Sequence, residues 1–426
     1  MNRTLLRPAA IRRTLITAAA CSTLALTACS GVTGNARVEP AEASGDGTLR
    51  VGLILDSTGD NAFLNAPQLA AVKLALQEIN AAGGHKGKPV ELLPSQTGQD
   101  AAGQAQALVA AKADVVIGPT DSGHAEAAID ILSRARTPLI SPANTAAGLS
   151  TSNSGGYYFR TAAADVAQGP VLAKLAKDAG AATVAVLRQE GSYGTDVSGA
   201  VATAAEQAGM KVAATADFSP GGAGIAAAAL EKAAADAVIV IARDGAQGAL
   251  AELANAGVDG KRIILSDGAF ARYGSRLPAK FLDGARAVVA GQLPDADFQA
   301  RLLTVDQGLK DVSFAAEAYD AVTVAALAAA RAQDDAGRSI AANLIAASGG
   351  AVEGSAGAPA AEACVTYKDC RAGLMTRPDI NYDGESGPIA FDTNGDITSA
   401  TFTVYTYGAD NNPAPSGRET AGRAAG

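Results

Sequence analysis

Histidine is nearly missing from this chain: of 426 residues only His85 and His124 carry an imidazole. Positive charge is also in deficit, with 34 Lys and Arg against 43 Asp and Glu, a formal charge of −9. No basic patch stands out, and the acidic balance removes the electrostatic footprint of a nucleic-acid binder. Beyond residue 28 no apolar run reaches the roughly 20 residues that a membrane-spanning helix needs. Neither a P-loop nor a Gly-x-Gly-x-x-Gly fingerprint opens a helix, so nucleotide cofactors have no phosphate cradle. No cofactor and no metal is expected.

The few cysteines are informative by position. The chain opens with Arg3, Arg7, Arg12 and Arg13, holds no acid before Glu39, and runs apolar over 15–28. A basic head followed by a short apolar stretch reads as a secretory signal rather than a membrane span. The stretch ends in Leu26-Thr27-Ala28-Cys29. That tetrapeptide resembles the bacterial lipobox, in which the cysteine is lipidated and becomes the first mature residue. The expectation is a signal peptide over 1–28 and lipidation at Cys29, with Arg12-Arg13 leaving the export route open between general secretion and twin-arginine export. Residues 29–47, poor in large apolar side chains, read as a flexible tether. A tether on a lipid anchor places the folded body at the outer face of the cell membrane. Cys21 falls in the signal, which leaves Cys364 and Cys370 as an even pair in an oxidising compartment. A disulfide closing a small surface loop is the natural reading. A zinc site is the alternative, but it has only His85 and His124 to draw on.

With residues 1–28 removed, 398 residues remain, enough for two domains with ample cores. From residue 49 onward, short apolar runs alternate with Ala-rich stretches of helical spacing. The runs fall at 49–55, 90–93, 114–117, 138–140, 183–187, 211–214, 237–241, 262–265 and 287–290 and read as buried parallel strands. Helical stretches fall at 66–82, 101–111, 125–135, 166–179, 194–208, 223–235, 246–256 and 314–331. Strand–helix alternation implies an α/β fold with parallel sheets covered on both faces. The strands outnumber one ordinary sheet, so the expected architecture is two doubly wound parallel-sheet lobes joined by a multi-strand hinge. The expected division puts lobe 1 at 48–163 and 289–347, lobe 2 at 164–288 and 348–410, and a disordered tail at 411–426. An alternating strand is expected at 399–407.

The strand ends carry a series of short motifs. Gly118-Pro119-Thr120-Asp121-Ser122 is followed by Ile140-Ser141-Pro142-Ala143-Asn144-Thr145. Then come Phe159-Arg160-Thr161, Asp165, Gln168-Gly169, Tyr193-Gly194, Ser266-Asp267-Gly268, Ala318-Tyr319-Asp320 and a stretch from Asp379 to Gly387. In this order and spacing, from about residue 49 to 407, the chain resembles the type I periplasmic binding proteins of the leucine/isoleucine/valine family. The resemblance implies a receptor whose lobes close on a small molecule at the carboxyl ends of the strands. It also implies an ABC permease and ATPase as partners, and we expect a monomer. In the family the residues matching Ser122 and Thr145 bind a ligand carboxylate. A hydroxyl beside free backbone N–H groups at a helix start suits that task. The backbone carbonyl of Ala143 and the carboxylate of Asp267 match the groups that receive the ammonium, and Tyr193 matches the tyrosine that lines the cleft from the second lobe.

Two positions depart from the family. Arg243 stands where a second cleft tyrosine is expected, and Asp121 replaces a small or apolar residue beside Ser122. An arginine and an acid in the cleft favour a polar or charged ligand side chain over a leucine-like one; a salt bridge between the two, or an outward orientation of both, is the alternative. In the loop 57–65, Phe63 or Leu64 is expected to touch the ligand. Short amides, urea and aromatic acids are alternative ligands. The rival class, a secreted hydrolase, has its best seed in Asp121-Ser122-Gly123-His124. Two residues apart, though, Ser122 and His124 point in different directions, and Thr120 breaks the Gly-x-Ser-x-Gly elbow. Asp392-Thr393-Asn394-Gly395-Asp396 lacks the distal glutamate of a calcium loop and reads as a β-turn.

Overall fold

The computed structural model describes Met1 and residues 37–56, 62–96, 98–292, 294–351, 362–377 and 380–422. The expected signal peptide, Cys21, Cys29 and the first part of the tether lie outside these residues. The chain divides into a short unit, Met1–Gly31, and a unit Val32–Gly426 that holds every element below.

Strands β1 (Arg50–Leu53), β2 (Glu91–Leu92), β3 (Val115–Ile117), β4 (Leu139–Ser141) and β5 (Tyr158–Arg160) form a parallel sheet in the order β2-β1-β3-β4-β5. The helices between them are α1 (Asn65–Ala81), α2 (Ala101–Ala110) and α3 (Ala125–Arg134). A second sheet takes β6 (Thr183–Gln189), β7 (Lys211–Phe218), β8 (Ala237–Ile241), β9 (Ile263–Leu265) and β10 (Arg286–Ala290). Around it lie α4 (Gln168–Asp178), α5 (Ser192–Gln207), α6 (Gly224–Ala233) and α7 (Ala246–Asn255). The chain then returns to the first sheet with α8 (Ala296–Val305), α9 (Ala315–Ala332) and α10 (Gly337–Ala347). A small sheet of β11 (Ala363–Cys364), β12 (Asn381–Gly384) and β13 (Gly387–Pro388) encloses α11 (Tyr367–Leu374). Finally β14 (Ser399–Tyr407) and β15 (Pro413–Gly422) extend the second sheet antiparallel, giving the order β15-β14-β10-β9-β8-β6-β7.

Each sheet has an apolar core on both faces, which is why its strands read as unbroken apolar runs. In the first lobe Val51, Val115, Ile117, Ile140 and Phe159 pack with α1 and α9 on one face, while Ile54, Val116, Leu139 and Tyr158 pack with α2 and α3 on the other. In the second, α6 and α7 cover one face and α4 and α5 the other. The nine expected parallel strands, the alternating strand expected at 399–407 (β14) and the helices α1–α7 and α9 stand where periodicity puts them. Strand β5 was not expected: three residues ending in an arginine carry no alternation to read.

Three boundaries differ from expectation. Residues 363–377 and 380–397 belong with the first lobe, not the second, because Tyr367, Cys370, Tyr382, Ile389 and Phe391 are buried in the same core as Val51 and Phe159. The expected tail is ordered over Pro413–Gly422, where β15 pairs with β14 along its whole length. It is an edge strand with few buried side chains, which tolerates proline and polar residues and so leaves little sequence signal. The end of the tether is pinned: the amides of Ser44 and Gly45 donate to the carboxylate of Asp334, and those of Asp46 and Gly47 to that of Asp335. Arg37 lies over the Phe159 ring, 4.9 Å from its centroid. Cys364 and Cys370 form the expected disulfide. Asp392 to Asp396 makes a tight turn in which Asp392 Oδ1 accepts from the amides of Asn394 and Asp396. No helix among the described residues is long and apolar enough to cross a membrane.

Candidate functional site

The strand order reverses between β1 and β3 in one sheet and between β6 and β8 in the other. Carboxyl ends that diverge at such a point leave a crevice for a ligand. A single cleft of 880 Å³ joins the two crevices, lined from the first lobe by loops after β3 and β4 and from the second by loops after β6, β8 and β9.

The first wall is built by cross-linking two loops. Gly118, at φ 105°, lets the loop after β3 turn beside β1; a Cβ there would sit 2.3 Å from the Ile54 carbonyl oxygen. Asn144, fully buried, donates to the carbonyls of Pro119 (3.1 Å) and Thr120 (3.0 Å), and Ser141 Oγ donates to the Pro119 carbonyl at 2.8 Å. From below, Arg160, fully buried, donates to the carbonyls of Asn144 (3.2 Å) and Ala146 (2.8 Å) and pairs with Asp396 at 2.7 Å. The two carbonyls flank Thr145, so this buried ion pair fixes its position. Asp121 caps the turn Ser122–His124 by accepting from the Gly123 amide at 2.7 Å. Ser122 is therefore not the cap. Its Oγ accepts from the amides of Thr145 (3.2 Å) and Ala146 (3.3 Å), and its own proton has no acceptor among the described residues. The Ala143 carbonyl likewise receives no hydrogen bond from a described residue. Thr145 does not open a regular helix; a short 3-10 segment, Ala147–Thr151, follows it.

The second wall centres on Asp267. Its Oδ1 accepts from Tyr193 Oη (2.5 Å), Gln168 Nε2 (2.9 Å) and the Gly268 amide (2.7 Å), while Oδ2 takes no bond from a described residue. Burial and the neighbouring carboxylate hold the Tyr193 phenol well above its usual range, so it stays a donor. Gly268 is required for this approach: a Cβ would lie 2.5 Å from the Ala242 carbonyl oxygen and 3.2 Å from Tyr193 Oη. Arg243 stacks on the Tyr193 ring at 4.4 Å and donates through Nη2 to Asp165 (2.7 Å) and to Thr145 Oγ1 (3.3 Å). Burial, opposed by Arg243, pushes the Asp165 carboxyl up to about 7.

Leu64, Asp121, Ser122, Ala143, Thr145, Tyr193, Arg243 and Asp267 thus line one cleft. Phe63 does not: its side chain is solvent-exposed. Arg243 takes Asp165, not Asp121, as its acid. The Ser122–His124 pairing that a hydrolase would use is not formed. The His124 imidazole meets the buried Asp56 carboxylate at 2.9 Å, and the same carboxylate accepts from the Asp121 amide. Residue-by-residue reading missed the parts played by Asp165 and Gln168, although both stand in the motif series. It also missed Phe314, which lines the cleft in the left-handed region at φ 57°. A non-glycine residue held there costs about 1–2 kcal/mol.

These lobes and this cleft define a two-lobed solute receptor. The chain matches the family described as Periplasmic binding protein over residues 48–365 and belongs to it. A relative from Pseudomonas aeruginosa, the leucine-, isoleucine-, valine-, threonine- and alanine-binding protein, is 32% identical over 173 residues, which is 39% of this chain and 45% of that protein. The matched stretch thus spans less than half of that relative's length. A solved structure from Rhodospirillum rubrum, described as a branched-chain amino acid ABC transporter protein, superposes with a TM-score of 0.66 at 22% identity, covering 87% of this chain and 100% of that one. A solute-binding protein from R. palustris in complex with 4-hydroxybenzoate superposes with a TM-score of 0.60 at 16% identity, covering 88% and 96%.

Proposed function

We propose that this protein is an exported solute-binding lipoprotein that captures an amino acid by closing its lobes and delivers it to an ABC importer. The carrying observation is the placement of opposite hydrogen-bonding types in one cleft. An α-carboxylate needs donors, and the uncommitted Ser122 hydroxyl, Thr145 and Arg243 supply them. An α-ammonium needs acceptors, and the Ala143 carbonyl and Asp267 Oδ2 supply them. Tyr193, Gln168 and the Gly268 amide orient that carboxylate without satisfying its second oxygen. Closure is favoured to the extent that the ligand binds the closed form better than the open one; a ligand touching both walls does so. Lipidation of Cys29 would hold the body at the outer face of the membrane, where a permease and its ATPase act on the closed form.

An aromatic acid, as in the R. palustris neighbour, fits less well, because it brings no cation to Asp267 and would leave that carboxylate unpaired in a closed cleft. A thermal-shift screen of the purified protein with L-amino acids, short amides, urea and aromatic acids tests the reading. Binding to the folded state raises the melting temperature by mass action. A shift with an amino acid is expected; a shift with aromatic acids or amides alone would remove the ammonium role from Asp267.

A further inference from the structure

Ser122 sits in a turn that one carboxylate holds at both ends. Asp56, buried just past β1, accepts from the Asp121 amide through Oδ2 (2.9 Å) and meets the His124 imidazole through Oδ1 (2.9 Å). The backbone of Asp56 is fixed in turn by Asn65, which opens α1: its side chain donates to the Asp56 carbonyl (2.7 Å) and accepts from the Asp56 amide (3.2 Å). Between the two contacts stands Ser122, whose Oγ accepts from the amides of Thr145 and Ala146 and so has only its proton to offer a ligand. A hydrogen bond weakens steeply with misalignment, so that donor is only as good as the placement of the turn. His124 does not line the cleft; it acts without touching a ligand. The charged groups that face its imidazole are all acids: Asp56 past β1, Asp121 in the same turn and Asp100 at the cap of α2. The bond to Asp56, opposed by partial burial, is the largest reason that the imidazole is held above its usual range. Once the imidazole is neutral, the contact drops from a charge-assisted bond to one about half as strong, and a buried carboxylate loses its counter-charge.

We propose that His124 and Asp56 are positioning residues of the ligand site, an imidazolium–carboxylate latch that sets Ser122 for the ligand carboxylate and makes capture proton-dependent. The proposal rests on the carboxylate role given to Ser122 above. The charged latch is present at low pH and lost as pH rises through the folded pKa of His124, so a carboxylate ligand binds more tightly below that value than above it. Coupling is reciprocal: a ligand that prefers the charged latch raises the pKa of His124 when it binds.

Because the chain holds only His85 and His124, NMR of the tag-free protein labelled at histidine reads the latch directly, and a His124→Asn variant identifies its signals. Saturation with the best-binding L-amino acid should move the His124 titration to higher pH. Calorimetry should show binding about threefold tighter at pH 6 than at pH 8.5, the size of a half-exposed ion pair. The His124→Asn side chain can still donate to Asp56 but carries no charge, so this part of the pH dependence should vanish while the affinity at pH 8.5 is kept. His124→Leu, with neither donor nor charge, should bind more weakly at both values. The Asp165 carboxyl, pushed up to about 7, titrates in the same window, so the measure is the difference between the unaltered protein and His124→Asn. An equal pH dependence in the two proteins, or a His124 titration in the unaltered protein that the ligand does not move, overturns the proposal and leaves the amino-acid reading standing. If aromatic acids alone bind and move the His124 titration, the amino-acid reading falls and the latch stands, since they too bring a carboxylate. Binding of uncharged amides alone overturns both.

Discussion

Arg243 Nη2 lies 2.7 Å from Asp165 Oδ2 and 3.3 Å from Thr145 Oγ1, so a side chain of the second lobe touches both the first wall and the start of the segment that joins the lobes. Asp165 follows β5, where the chain first passes from one sheet to the other, and it is almost wholly buried while Arg243 is half exposed. The pair therefore links the cleft to the hinge.

Replacing Arg243 by alanine leaves the Asp165 carboxylate buried without its cation. Because Arg243 is half solvated, the loss is modest, about 1 kcal/mol at pH 8. The gap should close at pH 5.5, where Asp165, with its pKa raised to about 7, is protonated in both proteins. Urea denaturation at the two pH values checks this; an equal loss at both would mean that Arg243 acts through packing on Tyr193.

Tyr193→Phe removes one of three donors to Asp267 Oδ1 and leaves the ring that Arg243 covers. A net hydrogen bond is worth about 0.5–1.5 kcal/mol, so ligand affinity should fall about three- to tenfold while the fold is unchanged. Asp267→Ala should cost more than tenfold, because it takes away the counter-charge itself. Titration calorimetry of both variants gives the order.

Much of this was legible in the sequence. Nine strands and most helices follow from apolar periodicity, and Ser122, Thr145, Tyr193 and Asp267 follow from strand-end motifs. What stayed hidden was pairing over long separations. Nothing local marks Asp165 as the partner of Arg243, Asp56 as that of His124, or Asp396 as that of Arg160. Polar burial of this kind depends on which loops the sheets bring together. The edge strand Pro413–Gly422 was missed for the opposite reason: it is held by backbone pairing and needs few apolar side chains.

Arg160→Met removes the cation that pairs with Asp396 at 2.7 Å and unties the carbonyls beside Thr145. Breaking a buried pair from one side costs about 3–5 kcal/mol. Urea denaturation should show that loss, and any folded variant should bind ligand more weakly because Thr145 is no longer fixed.

Burial raises the carboxyls of Asp114, Asp165 and Glu317 to about 7 and that of Asp320 to about 6. Between the ordinary carboxylate range and these values the native state holds protons that the unfolded state releases, so stability falls as pH rises through the window. His124, raised by Asp56, acts in the same direction: its contribution is present at low pH and lost as pH rises past its folded pKa. His85, lowered by burial, opposes them. The sum predicts a higher melting temperature at pH 6 than at pH 8, read by differential scanning calorimetry; a lower one would mean that these acids are ionised in the folded state.

The most direct test of the account is to remove the α-groups of the ligand one at a time. Calorimetry would compare the best-binding L-amino acid with its carboxamide and with the corresponding acid that lacks the α-amino group. If Ser122, Thr145 and Arg243 hold a carboxylate and Ala143 and Asp267 hold an ammonium, each analogue should bind at least tenfold more weakly, and Asp267→Ala should abolish the penalty for losing the amino group. Equal binding of the amino-free acid by the unaltered protein would contradict the site as built here.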